Sequence, residues 1–458
     1  MTETAHHLVP LSTSLTFMGF LVLMILALAF EEKIHAKKSL IVGLFAIVTL
    51  VLGQVFHLLP IGPMLNVFGE KMEIPVYVSA VDWGVITIIL GSSLFVDVSS
   101  QSGLFSWIAI KLTKASKGDP LKLYIYYALM TVLFSAVLNN VTAMIIVGSL
   151  TGVSLKKLNR SNYLLGFLLT QGLLTNVGGL LTLISSVPNI IIGQTAGISF
   201  VRFFLVAAPY VAISTFATLM VGKKLFGIKG LTSDQDRSEA AKLVASFDER
   251  DGIKSHGFFK FSGVMTVLFI LAIATTSVLP FVSGLGMGFV ALSFAAIMLV
   301  RFKASVDQFY KAIDWDLVGF FVALFVVINV MEHAQVLALI GQGIAPILGA
   351  GERLGSGLLL IVSALVSSVT DNIPLSAMLA KILAGMDQGK DAASWWSVVF
   401  GANLGGNLTP IGSASTLVAV TIMHKHELKL SFVGFIKASF PLAVIHLVLA
   451  TAYVLIFL

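Results

Sequence analysis

Cysteine is absent from the 458-residue chain. That excludes a disulfide framework and any thiolate metal site, and it removes the redox clue to compartment. Charge is scarce too, at 11% of residues against 57% hydrophobic, with a mean hydropathy of +0.97. Soluble domains carry about 25% charged residues, and a soluble core this apolar would aggregate. There is no Walker lysine motif, zinc-protease helix or serine nucleophile elbow, so ATP-driven pumping and intramembrane proteolysis lack their residues. Residues 1–10 have no basic stretch, so 11–30 is expected as a first transmembrane helix and not as a cleaved leader. The pI near 9.3 does not argue for nucleic acid, because the basic residues fall in short loops between apolar segments. They read as orientation signals.

What is present is a series of apolar runs. A spanning helix needs about 20 such residues, and ten crossings are expected at 11–30, 39–59, 83–98, 162–195, 200–221, 261–281, 287–299, 315–331, 395–423 and 431–458. Two further runs, 121–155 and 354–383, are interrupted halfway by polar knots, Ser135 to Thr142 and Val366 to Pro374. Each arm of roughly 15 residues reaches only about 22 Å. Both runs are therefore expected to be re-entrant helical hairpins with a knot at the tip. With both termini outside, 24 of the 29 lysines and arginines fall in cytoplasmic loops, leaving Lys71, Arg202, Arg353, Lys381 and Lys390 outside. Residues 223–260 become a cytoplasmic linker whose charges form a solvated face.

The knots belong to an internal repeat. At an offset of 232, Asp82-Trp83 matches Asp314-Trp315, Asn139-Asn140 matches Asp371-Asn372, Ser199-Phe200-Val201 matches Ser431-Phe432-Val433, and Pro209 matches Pro441. At an offset of 227, Asn176-Val177-Gly178-Gly179 matches Asn403-Leu404-Gly405-Gly406. Residues 1–222 and 261–458 thus form two repeats of five crossings and one hairpin each. An odd number of crossings turns the second copy over, giving an all-α membrane protein of two inverted repeats.

Stretches 176–189 and 403–416 lie midway along spanning segments and are rich in glycine, threonine, serine and proline. Such backbone must face protein or a water-filled cavity, so a broken helix is expected in each repeat. Carbonyls and hydroxyls gathered there suit a hard cation such as sodium, whereas half-helix N-termini suit an anion. The plainer reading is that the Gly-Gly pairs only let helices pack closely. Asp371 is a carboxylate at membrane depth, costly by about 2.5–3.5 kcal/mol and a functional candidate by default; its plainer reading is a cap on its own hairpin. Asp82 and Asp314 read as helix caps, and Asp97, Asp316, Glu332 and His333 as locally paired or snorkelling groups. No arginine or lysine is expected near any knot, which argues against a strongly charged anion bound by salt bridges.

With these residues in hand, the chain resembles the ion transporter superfamily, in the group joining ArsB-type arsenite permeases, the pink-eyed dilution protein and NhaD-type sodium/proton antiporters. Residues 134–142 look like its first hairpin tip and Thr370-Asp371-Asn372-Ile373-Pro374 like its second; 176–193 and 405–415 look like its broken helices. Two departures are visible. The first tip is Asn139-Asn140 where the group has Asp-Asn, and Ser185-Ser186-Val187-Pro188-Asn189 stands where it has Gly-Asp-Pro-Pro-Asn. Both remove a carboxylate from the first repeat, and an asparagine cannot release a proton at neutral pH.

The expected function is secondary active transport, foremost sodium (cation)/proton antiport. Thr370, Asp371, Asn372, Asn403, Thr409, Ser413 and Ser415 would form one oxygen-rich site, with Asp371 coupling protons. Asn139, Asn140, Thr142, Asn176, Thr182, Ser185, Ser186 and Asn189 would form its pseudo-symmetric partner, with sodium at the same positions. The alternative is an anion carrier, exporting arsenite or importing a carboxylate with sodium; a non-transporting receptor on the same fold is a third reading. No cofactor is expected beyond sodium and protons as coupling ions, and no nucleic-acid partner. The partners are a small ion or anion and the lipid bilayer of the cell membrane, and the resemblance implies a homodimer.

Overall fold

Helices form where the sequence lets an apolar run proceed, and their starts are marked by caps. In the computed structural model, which describes residues 9–66, 68–253, 255–428 and 430–458, the Asp82 side chain accepts from Val85 N at 3.1 Å and Asp314 from Leu317 N at 3.0 Å. Both aspartates are caps, as read from the sequence. Residues 1–8, Lys254 and Lys429, which entered the orientation argument, lie outside the described residues.

Among the described residues, eight helices are long and apolar enough to cross a membrane: Leu11–Ala29, Lys38–Val55, Trp83–Ser100, Pro120–Val137, Phe200–Leu225, His256–Thr275, Trp315–His333 and Phe432–Phe457. Seven coincide with expected crossings. The eighth is the first arm of the first hairpin, whose 18 residues rise about 27 Å, longer than the arm estimated from sequence. Gly286–Arg301 is apolar but shorter. The stretches 162–195 and 395–423 are both broken, into Leu164–Gly179 with Val187–Ala196 and Ala393–Gly405 with Ala414–Lys425. The hairpins are Pro120–Val137 with Asn140–Lys157, and Glu352–Ser367 with Asn372–Gly385. Among the described residues the regular structure is helical apart from a two-residue antiparallel ribbon, Met64–Leu65 against Lys71–Met72.

Among the helices that escaped the hydropathy reading, two correspond to each other. Leu104–Ala115 and Val336–Leu348 are short helices of 12 and 13 residues, each following a left-handed residue, Gly103 (φ 83°) and Gln335 (φ 57°). They start 232 residues apart, so they belong to the repeat, but neither is long enough to register as a span.

Polarity is arranged inside out. Along Lys38–Val55, Leu40, Leu44, Ile47, Val51 and Val55 are all exposed, a stripe at helical spacing that lipid would cover. Thr170, Gln171, Thr175, Asn176, Asn189, Asn403 and Asn407 are buried at the centre. The repeats interlock around that centre: Trp83–Ser100 packs on Gly286–Arg301, and Trp315–His333 packs on Lys38–Val55. Gly91 permits the first contact, since a Cβ there would sit 2.5 Å from the backbone of Ala291.

The linker is more than a solvated face. It contains the helix Asp234–Ala245, Asp119 accepts from Leu231 N at 2.9 Å, and Glu249 pairs with Lys111 and Lys114 at 3.1 and 3.2 Å. Hydrogen bonds from those two lysines hold the Glu249 carboxyl below its usual range.

Candidate functional site

Each broken helix must dispose of the backbone groups its break exposes. In the first, Ser185 Oγ and Asn189 Nδ2 both reach the carbonyls of Gly179 and Thr182, at 2.5 and 2.8 Å and at 2.7 and 3.0 Å. In the second, Thr416 Oγ1 donates to Ser413 O at 2.7 Å. Ser185 is therefore occupied by backbone.

The hairpins are stitched to the breaks in matching fashion. Ser135 Oγ reaches Thr175 O and Ser367 Oγ reaches Ala402 O, both at 2.6 Å; Thr182 donates to Ala136 O at 2.6 Å and Thr409 to Ser368 O at 2.5 Å. A Cβ on Gly178 would meet Val132, and one on Gly405 would meet Ala364, so the first glycine of each pair is there for close packing on a hairpin arm. Every one of these pairs is related by the repeat.

At the centre the two repeats exchange bonds. Asn176 Nδ2 donates to Ser413 Oγ at 2.9 Å and to Asn407 Oδ1 at 2.8 Å, while Asn176 Oδ1 accepts from Ser415 Oγ at 3.2 Å. Reciprocally, Asn403 Oδ1 accepts from Ser186 Oγ at 2.7 Å and Asn403 Nδ2 donates to Asn189 Oδ1 at 2.9 Å. Each break thus presents its asparagine to the serine that begins the other repeat's second half-helix. Side chains thus pair across the repeats as well as within them, whereas the sequence grouping kept each repeat's residues together.

The first tip joins this lattice through Asn140, and the two tips differ from one another. At the first, Asn139 Oδ1 caps Thr142 N at 2.8 Å, and Asn140 joins Ser135 at 2.6 Å and Asn176 at 3.3 Å. At the second, Asp371 Oδ1 accepts from Ile373 N at 3.0 Å, so the capping reading holds. Its Oδ2 is 2.5 Å from Lys38 Nζ, which also lies 3.6 Å from Glu31. The knot has a lysine after all, delivered from 333 residues away, a pairing that proximity in sequence could not reveal. Thr370 donates to Val366 O at 2.8 Å, and the Asn372 amide makes no hydrogen bond among the described residues. No hydrogen bond joins Asp371 or Asn372 to Thr409, Ser413 or Ser415 among those residues.

Of the other acidic candidates, two find partners on other helices, while the Asp97 side chain has none among the described residues. Asp316 accepts from the Ser39 hydroxyl, and Glu332 pairs with Lys381 at 3.3 Å. A cavity of about 170 Å³ lies beside Lys381, lined also by Asp82, Thr195 and Asn329. The sequence reading missed Lys38, Ser135, Asn407 and His446. Ser135 and Asn407 stood inside the quoted motifs, whereas nothing local marks Lys38 or His446.

Among the described residues no group of three histidines or carboxylates could hold a metal ion. What the centre offers is neutral amide and hydroxyl groups on helix ends inside an apolar shell, which suits passage of a solute. Known proteins agree. An uncharacterized transporter of Mycobacterium bovis is 30% identical over 82% of this chain and 86% of its own length. The P protein of Mus musculus is 24% identical over 98% of this chain, which spans 62% of that longer protein. The fold is that of the YdaH transporter of Alcanivorax borkumensis, with a TM-score of 0.59 over 97% of this chain and 98% of that one at 14% identity. MtrF of Neisseria gonorrhoeae gives 0.57 over 97% and 95% at 13% identity. The chain is thus a multi-pass membrane transporter and not an enzyme, and since the family model described as "Citrate transporter" matches residues 25–401, it belongs to the citrate transporter family.

Proposed function

We propose that this transporter is a cation-coupled carrier of a small carboxylate anion, with the second hairpin tip as its working end. The observation that carries the reading is the ion pair of Lys38 and Asp371, 2.5 Å apart, next in the chain to the Asn372 amide, which is unbonded among the described residues. An arriving carboxylate can take the Lys38 ammonium and the Asn372 amide, which frees Asp371 for a sodium ion or a proton. One internal pair is exchanged for two, and no charge is left unpaired at membrane depth. The half-helix N-termini at Ser186 and Ser413 add favourable dipole ends for an anion. The inverted orientation of the repeats, the external termini and a homodimer belong to the same proposal; the reciprocal bonding of Asn176 with Ser413 and Asn403 with Ser186 supports a two-fold relation.

Sodium/proton exchange is the second reading. It is favoured by Asp371 being the carboxylate retained at the knots. Purified protein in liposomes separates the two: radiolabelled citrate uptake driven by a sodium or proton gradient, and abolished by D371N, supports the carboxylate carrier. Sodium-driven proton efflux reported by an internal pH dye, with no anion requirement, replaces it with exchange.

A further inference from the structure

His446 is fully buried midway along Phe432–Phe457, and nothing above has used it. One bonding pattern of its surroundings assigns its protons. Thr218 donates its one hydroxyl hydrogen to Ser214 O at 2.7 Å, so at 2.7 Å from His446 Nε2 it accepts, and Nε2 carries hydrogen. Asn407 Oδ1 is taken by Asn176, and Asn407 Nδ2 faces both Leu173 O and His446 Nδ1 at 3.2 Å. A carbonyl only accepts, so Nδ2 must donate to it, and Nδ1 is left as a bare acceptor. The imidazole is neutral, with its proton on Nε2.

From His446 a relay of side-chain bonds runs through Asn407, Asn176 and Asn140 to Ser135, across both broken helices to the first hairpin tip. As drawn, it has a conflict at its far end. Ser135 has one hydrogen for two acceptors, Asn140 Oδ1 and Thr175 O, each at 2.6 Å. Turning all three amides over removes that conflict, because Asn140 Nδ2 then donates to Ser135 and Ser135 donates to Thr175. The same reversal sets Asn407 Oδ1 against Leu173 O, and only a hydrogen on His446 Nδ1 makes it favourable. The relay therefore has two polarities, each with one unsatisfied end, and a proton on Nδ1 chooses between them.

We propose that His446 is a proton-linked positioning residue whose second proton, taken at Nδ1, reverses the Asn407–Asn176–Asn140 relay. Reversal changes what the Ser413 and Ser415 hydroxyls meet, from the Nδ2 and Oδ1 of Asn176 to the opposite atoms. Asn407 acts only through its neighbours, since its oxygen and both its amide hydrogens are already engaged. The charged imidazole has no counter-ion in place. The helices Leu164–Gly179 and Ala393–Gly405 packed on it carry no titratable side chain, and Phe200–Leu225 presents Tyr210, whose hydroxyl bonds His446 O at 3.0 Å. Arg202, Lys223 and Lys224 are confined to the ends of that helix, and Glu352 and Arg353 to the first turn of Glu352–Ser367. Tyr124 is bonded to Thr170, and Lys437 and Tyr453 lie nine and seven residues away on the histidine's own helix. Protonation thus belongs to a state in which an anion or water has entered, which links the proton to the transport cycle and rests this inference on the carrier reading.

Two measurements test it. In wild-type protein labelled with 15N at histidine and asparagine and held in nanodiscs, the His446 signal, assigned by its loss in H446Q, should show neutral Nε2–H at pH 8. It should gain a proton at Nδ1 on acidification, in step with shifts of the Asn407 and Asn176 side-chain amides. An imidazole that stays neutral to pH 4.5, or that titrates with both amides unmoved, overturns the proposal. Transport plays no part in this measurement, so it stands if citrate and sodium prove to be the wrong solutes. In liposomes, the ratio of wild-type to H446Q citrate uptake should change with pH, towards a limit of about tenfold per pH unit for one linked proton. Citrate's own ionisation cancels in that ratio, and a ratio constant from pH 5.5 to 8.5 overturns the linkage.

Discussion

The two hairpin tips occupy equivalent positions in the repeat and are held by different forces. The first is neutral and closed: Asn139 caps its helix, and Asn140 is tied to Ser135 and Asn176. The second is charged and partly open, with Asp371 on Lys38 and the Asn372 amide unbonded among the described residues. The supporting bonds behind them, Ser135 with Thr175 and Ser367 with Ala402, are the same. The same supporting bonds thus stand behind two tips of different chemistry, one neutral and closed and the other charged and partly open.

The largest effects should come from making the second tip like the first. D371N leaves Lys38 without its main partner and K38M leaves Asp371 without one. Each should abolish uptake of whichever solute is transported. Each should also cost about 1–3 kcal/mol of stability, below the 3–5 of a fully buried pair because both side chains are partly exposed. The double variant should regain the stability, read by thermal unfolding in detergent, and stay inactive in liposomes. Equal melting temperatures in all four proteins would show that the pair holds nothing together.

A second pair of substitutions separates anchoring from working. N140A removes the amide that links Ser135 to Asn176, and should destabilise by about 1–3 kcal/mol. N372A removes an amide with no partner, and should leave the unfolding temperature within the scatter of surface changes, about 0.5 kcal/mol, while cutting transport at least tenfold. If N372A melts lower than N140A, the tips have been assigned the wrong way round.

Much of this was legible because the repeat writes each feature twice. Asn139-Asn140 and Asp371-Asn372, and the paired glycines at Gly178 and Gly405, located both tips and both breaks, and the hairpins and broken helices stand where those residues put them. The aspartate caps were readable because a cap is a local interaction. What failed to show was anything joined across the fold. Lys38 looked like one more basic residue at a helix start, and its partner lies 333 positions on. His446 sits in an unbroken apolar helix, and its role depends on Asn407 and Thr218 from two other elements. Pairing of Asn176 with Ser413, in addition to Asn140 of its own repeat, follows from how the two halves meet and not from either half.

Smaller effects probe the shared scaffold. Gly405→Ala and Gly178→Ala should each cost about 1–3 kcal/mol by pushing a hairpin arm off its broken helix. Similar losses at the two would show that the divergence stops at the tips. The smallest change concerns Gly103 and Gln335, equivalent positions that both turn left-handed, at φ 83° and 57°, before a short connecting helix. The first repeat has the residue suited to that conformation, and the second carries a side chain that costs about 1 kcal/mol there. Gly103→Ala should therefore destabilise, the more so because its Cβ would lie 2.5 Å from Gly252 O. Gln335→Gly should instead raise the unfolding temperature by a few degrees at most. A drop would mean that the Gln335 side chain contributes more than its backbone costs, and that this junction too has diverged.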